Sequence, residues 1–208
     1  HRPCQRLAKA GAQALQIEDK MGIRGFARLF YENKHDAIIP VKDWLAKIRA
    51  GKEALEGTDC ILIARTEAFY SKGLDEAVDR CLLAREAGAD MTLIMGINNG
   101  PQSLELCEEI SRRVPGWKMY PDVDSHNGIA DLNIDDLAPL GFNLVTCHGI
   151  EKGAWYGMLD FGKHVIADRS TVYSNDHSMG CSSASERTDM LGADIREWLE
   201  FEKECYRD

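Results

Sequence analysis

Apolar residues gather along this chain in short runs, and each run follows a glycine by two to four residues. The instances are Gly11 before 14–17, Gly57 before 61–64, Gly88 before 91–95, Gly116 before 118–123 and Gly141 before 143–147. A glycine just past the last helical turn is the usual left-handed cap. Runs bounded in this way predict strands buried on both faces. The segments "LAKAGAQALQI" (7–17) and "LAREAGADMTLI" (83–94) echo each other, and "LAPLGFNLVTC" (137–147) is a looser copy.

Between these runs the spacing turns helical. Helices are expected over 41–54, 74–87, 102–113 and, more briefly, 134–140. In the first, Trp44, Leu45, Ile48 and Leu55 fall on one face. The second opens on Gly73 with acidic residues in its first turn, which suits the helix dipole. Successive glycines lie 46, 31, 28 and 25 residues apart. A strand plus its returning helix takes about 30 residues, so strict alternation implies a parallel sheet with helices outside. The first interval holds an excess, Lys20–Ile39, rich in Gly, Arg and aromatics and without clean periodicity. A long loop after a strand's carboxyl end is usually functional or mobile. Residues 170–185 are rich in Ser, Asn, Asp and Gly and read as a linker. A last helix is expected over 185–206, with Met190, Ile195, Trp198, Leu199 and Phe201 as its apolar residues.

Composition narrows the functional classes. The 208 residues carry 25 basic and 34 acidic side chains, a formal charge of −9. A nucleic-acid surface needs clustered Lys and Arg, so that class is set aside. Small anionic substrates remain possible, because one or two local cations suffice for them. No apolar run approaches the ~18–20 residues of a membrane span. The seven cysteines are scattered with no CxxC pair, which argues against a zinc or dithiol motif and for free thiols in a cytoplasmic setting. The first residue is His1 rather than Met, which suggests a processed form or a fragment.

In parallel α/β proteins ligands sit at the carboxyl ends of the strands. The five expected strands close on Glu18-Asp19, on Arg65-Thr66-Glu67, on Met95-Gly96 before Asn98 and Asn99, on Asp122 before Asp124 and His126, and on Cys147-His148. Oxygen donors of this kind suit Mg²⁺ or Mn²⁺. A single Arg suits a substrate carboxylate held by a bidentate pair. Glu18-Asp19 could equally be a solvated turn, and Arg65, leaving a buried strand, must be paired or hold a ligand. No Lys ends a strand, which weighs against Schiff-base chemistry. No GxGxxG, P-loop or GxSxG is present.

Four segments in order, "LQIEDKMGIR" (15–24), "IPVKDWLAKIRAG" (39–51), "ILIARTEAF" (61–69) and "GLDEAVDRCLLAREAGADMTLI" (73–94), resemble the isocitrate lyase / phosphoenolpyruvate mutase superfamily. The closing "EWLEFEKECYRD" resembles that family's C-terminal helix. The resemblance implies an α/β fold of the (β/α)₈ TIM-barrel type. Here it would be the last five βα units over 1–169, a linker over 170–185 and a helix over 186–208 exchanged between subunits of a dimer or tetramer. Five strands could alternatively form an open doubly wound sheet, which the resemblance disfavours. It also implies a Mg²⁺-dependent enzyme that makes or breaks C–C or P–C bonds of a small 2-oxo or 2-hydroxy carboxylate through an enolate. By position, Glu18 matches an acidic residue of the Mg²⁺ shell and Arg65 the carboxylate arginine. Glu67 and His148 join it as substrate-binding candidates, and Arg24 falls where the family has a loop Lys.

The departures shape the expectation. Isocitrate and methylisocitrate lyases carry a catalytic Cys in that loop, where this chain has Phe26. Met95 stands where relatives have Glu or His, and Pro121 and Glu67 lean toward the mutase branch. The first three βα units, which hold the Asp-rich metal motif, have no counterpart. A catalytically degenerate or truncated paralogue with a scaffold role is therefore the alternative to an active lyase or mutase.

Overall fold

The computed structural model describes residues 1–21, 38–98, 100–123, 125–126, 129–130, 132–147, 149–173 and 195–205. Two compact units divide the chain, residues 1–147 and 148–208.

The first unit begins with α1 (Arg2–Lys9) and β1 (Ala14–Glu18). The chain then runs through α2 (Val41–Ala54), β2 (Ile61–Thr66), the short α3 (Ala68–Lys72), α4 (Leu74–Glu86) and β3 (Met91–Ile94). A 3₁₀ turn at Gly100–Gln102 leads into α5 (Ser103–Arg113) and β4 (Trp117–Tyr120). A two-residue hairpin pair follows, β5 (Ser125–His126) and β6 (Ile129–Ala130), then α6 (Ile134–Leu137) and β7 (Phe142–Val145). The second unit contains α7 (Gly149–Asp168) and α8 (Ile195–Cys205).

The main sheet is parallel throughout, in the order β1-β2-β3-β4-β7. A doubly wound sheet reverses its order at a switch point. This one is laid down in sequence, as the wall of a barrel is. Side chains alternate between its faces. Leu15, Leu62 and Ala64 pack against Trp44, Leu45 and Ile48 of α2. Ile94 and Tyr120 pack with Val78 and Cys81 of α4 and Ile110 of α5. The opposite face carries a separate cluster of Ile63, Met91, Leu93 and Met119, with Ile61 and Met95 against it.

The α2 stripe behaves as its spacing predicts. Trp44 and Ile48 are wholly buried, each worth about 1.5–3 kcal/mol by area. The Trp44 indole N–H donates to the Ile17 carbonyl (3.2 Å). Gly51 allows the close approach, since a Cβ there would stand 2.6 Å from Ile17 Cδ1. An isolated antiparallel bridge joins Lys20 to Ile38.

Several boundaries differ from expectation. Strand β4 ends at Tyr120 rather than 123, because Pro121 has no N–H for the ladder. Strand β3 ends at Ile94, before Gly96 turns the backbone at φ +90°. Burial on both faces holds for β3 and nearly so for β2. It fails in β1 and β7, where Gln16, Asn143 and Leu144 are exposed. Those strands end the sheet, and each has a neighbour on one side only among the described residues. Helix α6 stops at Leu137 instead of 140, its start capped by Asn133, whose side-chain oxygen accepts from the Asp135 N–H (3.2 Å). Helix α7 had no predicted counterpart. The linker beyond residue 173, Met190 and the start of the last helix lie outside the described residues, as does the Trp198 side chain.

Candidate functional site at the carboxyl ends of β1 and β2

The register pairs Glu18 with Arg65 across β1 and β2. Both stand on the sheet face away from the helices, one step beyond Gln16 and Ile63. The Arg65 Nε–H donates to Glu67 Oε1 (3.1 Å), and a terminal guanidinium N–H bonds the same oxygen. Glu18 Oε2 lies 3.3 Å from Arg65 Nε. The Arg65 and Glu67 side chains are each 9% exposed, and Glu18 is 30% exposed. One cation therefore sits between two carboxylates at the rim, and the expectation that Arg65 must be paired or hold a ligand is met by Glu67 and Glu18.

Thr66 turns the other way, toward Asp19. Asp19 is wholly buried, which overturns the solvated-turn reading for this residue. Its carboxylate accepts from the Thr66 hydroxyl (2.6 Å), the Glu67 N–H (2.9 Å) and an Arg80 N–H (3.1 Å). Its own N–H donates to the Arg65 carbonyl (3.2 Å). Arg80, on α4, also donates to the Ile39 carbonyl (3.2 Å) and to Glu76 (2.8 Å). A buried carboxylate requires this kind of complete satisfaction. Sequence reasoning missed the pair. The usable signal was Arg80 falling on the buried stripe of Ala77, Cys81 and Ala84.

Further round the rim, the Asn98 side-chain N–H donates to the Asp122 carbonyl (3.2 Å), tying the end of β3 to that of β4. Met95 packs against the apolar cluster of the inner face. Cys147 is exposed. Arg24, Phe26, Asn99, Asp124 and His148, and the side chain of His126, lie outside the described residues. Among the described residues no group of three His, Cys, Asp or Glu side chains could hold a metal ion.

A sequential parallel sheet with an Arg–carboxylate group on its carboxyl rim is an arrangement in which α/β folds of the barrel type place their ligand sites. Residues 2–157 match the family model described as phosphoenolpyruvate phosphomutase, and the chain belongs to that family, within the isocitrate lyase / phosphoenolpyruvate mutase superfamily. It is 28% identical over 206 residues to the phosphoenolpyruvate phosphomutase of Streptomyces hygroscopicus, covering 97% of this chain and 60% of that protein. Its fold is similar to the crystal structure of 2,3-dimethylmalate lyase, with a TM-score of 0.73 at 19% identity over 97% of this chain and 66% of the other. It is also similar to phosphonopyruvate hydrolase in complex with oxalate and Mg²⁺, with a TM-score of 0.69 at 23% identity over 96% and 65%. The chain spans 60% or less of the length of curated relatives such as the phosphomutase.

Proposed function

We propose that this chain belongs to a lyase- or mutase-type enzyme acting on a small 2-oxo or 2-hydroxy carboxylate, and that Arg65 holds the substrate carboxylate. The observation that carries the reading is a nearly buried guanidinium on the inner face of the sheet, at the end of a strand, held among the described residues by the carboxylates of Glu67 and Glu18. A substrate carboxylate can replace Glu67 on Arg65, whose two N–H donors now meeting one Glu67 oxygen would then take one substrate oxygen each. Glu67 then remains beside the substrate as a second polar contact, and His148 is proposed at the same rim. Phe26 has no transferable proton where the lyases carry their loop Cys, and a general acid or base contributes roughly 10²–10⁴-fold. The proposal therefore excludes cleavage of isocitrate and 2-methylisocitrate. Arg24 keeps a positive charge in that loop but is a poor proton donor.

Mg²⁺, or Mn²⁺ in its place, would supply electrophilic stabilisation of an enolate. Glu18 is the rim carboxylate proposed to face it. The described residues do not fit the ion by themselves: Glu18 is shared with Arg65, and Asp19 has its oxygens committed in the buried network. Further donors would have to come from outside the described residues. Phe26 and Met95, standing where relatives carry proton-transferring or polar groups, favour a second reading, a degenerate or partial paralogue that keeps the scaffold. We further propose a cytoplasmic homo-oligomer, a dimer or tetramer, with no nucleic-acid or membrane partner. No described helix is long and apolar enough to cross a membrane.

Calorimetric titration with oxalate, with and without Mg²⁺, tests the site. Arg65→Gln should weaken oxalate at least roughly tenfold, the order expected for one lost charge-assisted bidentate pair. Equal binding by the wild type and the variant refutes Arg65 as the carboxylate group. No binding by the wild type favours the scaffold reading.

A further inference from the structure

We propose that Asp19 and Arg80 are positioning residues for Arg65: the buried pair sets where the guanidinium stands at the rim. The inference rests on the reading of Arg65 as the carboxylate-holding group. Asp19 is wholly buried and faces the helices, so it touches no substrate. Yet its partners are three consecutive rim residues. The Asp19 N–H binds the Arg65 carbonyl, and its carboxylate takes the Thr66 hydroxyl and the Glu67 N–H.

Each of these contacts fixes one degree of freedom of the rim. The Thr66 oxygen also accepts from the Ala68 N–H (3.1 Å), so its own proton is directed to Asp19 and the turn from β2 into α3 is set. With its N–H pinned, Glu67 folds its side chain back onto Arg65. The register holds Glu18 opposite, so the guanidinium is clamped from both sides. Arg80 neutralises Asp19 and donates to Ile39, whose N–H in turn donates to the Asp19 carbonyl (2.8 Å). The two ends of the 20–39 segment are thereby fastened to the same buried pair. A pair that served stability alone would need partners for its charge, but not these three residues in succession. Supporting hydrogen bonds of this kind hold a binding group within the narrow geometry it requires.

The test uses Thr66→Val, Thr66→Ser and Arg80→Lys in the full chain, with Arg65→Gln as the reference for the site. The deciding readout is the ¹⁵N–¹H resonance of Arg65 Nε, assigned by its loss in Arg65→Gln, and its rate of exchange with water. Thr66→Val should move that resonance and speed its exchange, Thr66→Ser should restore both, and Arg80→Lys should move it without loss of fold. Where oxalate binds the wild type, Thr66→Val should weaken it roughly tenfold and Thr66→Ser should rescue it. If Thr66→Val and Arg80→Lys lower stability but leave the Arg65 resonance, its exchange rate and oxalate affinity at wild-type values, the pair is structural and the inference is overturned. Failure of the functional reading looks different: oxalate binding is then absent from the wild type or indifferent to Arg65→Gln, while the resonance still decides whether Asp19 and Arg80 place the guanidinium.

Discussion

Removing the Arg80 charge is the most informative single perturbation of this fold. Asp19 is wholly buried, and Arg80 supplies its counter-charge at 3.1 Å with a side chain only 7% exposed. In Arg80→Met the apolar stem is replaced with little change in volume, so the cost is electrostatic. Taking one partner from a buried pair costs about 3–5 kcal/mol, because the other charge stays behind in a poor solvent. Two donors, the Thr66 hydroxyl and the Glu67 N–H, stay on Asp19 and favour the lower end of that range. The i,i+4 pair with half-exposed Glu76 is also lost, but such a pair adds only about 0.3–0.5 kcal/mol. The expected loss is therefore ~3 kcal/mol, a large part of the 5–15 kcal/mol that holds a typical domain together. Urea unfolding followed by far-ultraviolet circular dichroism measures it, provided the denaturant slope is unchanged. The double variant Asp19→Asn/Arg80→Met should regain part of the loss, since neither charge is then stranded. A single variant within ~0.5 kcal/mol of wild type, the range of an ordinary surface change, would refute the assignment of a buried, charge-balanced pair.

Further outcomes follow from the thiols and from one left-handed glycine. Burial, more than any neighbour, pushes the Cys81 thiol up to about 12 from 9.0; the Asp19 charge adds to this, while Thr92 and Arg85 oppose it. The folded chain then keeps a proton that the unfolded chain gives up above pH 9, so stability should fall as pH rises from 9 toward 12. Urea midpoints across that range should decline, and more gently in Cys81→Ala; under native conditions iodoacetamide should label exposed Cys147 and Cys205 but leave Cys81 and Cys107 unmodified until the chain unfolds. Gly116 has φ +79°, and a Cβ there would collide with the Arg85 guanidinium. Gly116→Ala should cost about 1–2 kcal/mol in the same unfolding assay, from left-handed strain, the Arg85 end being free to swing aside, and an unchanged midpoint would contradict it.

How far the sequence could be read depends on whether a signal is local. Helix α2 is legible to the residue because Trp44, Leu45 and Ile48 form a narrow stripe with polar residues around it. Helix α7 was not, because Gly149, Gly153, Gly157 and Gly162 recur through it and glycine disfavours a helix interior. The edge strands were misjudged because an apolar run does not reveal how many neighbours it will have. The rim was half legible. Glu18 and Arg65 close strands, and the parallel register brings strand ends together whatever the intervening length. The partner of Asp19 lies 61 residues away on a helix, and no periodicity within either segment specifies that meeting.

One geometrical fact produces both halves of the site. Alternation along β1 and β2 sends Glu18 and Arg65 to the face shared with Ile63, Leu93 and Met119. Apolar neighbours there exclude water and strengthen the attraction between charges. The next residue on each segment, Asp19 and Thr66, must then point to the opposite face, where α4 packs and Arg80 waits on its buried stripe. A shift of one residue in register would exchange the two sets and take Asp19 away from the Thr66 hydroxyl, the Glu67 N–H and Arg80 together. The buried pair consequently does more than satisfy its own charges. It makes the alternative register costly, and in doing so holds the guanidinium on the face where a carboxylate can reach it.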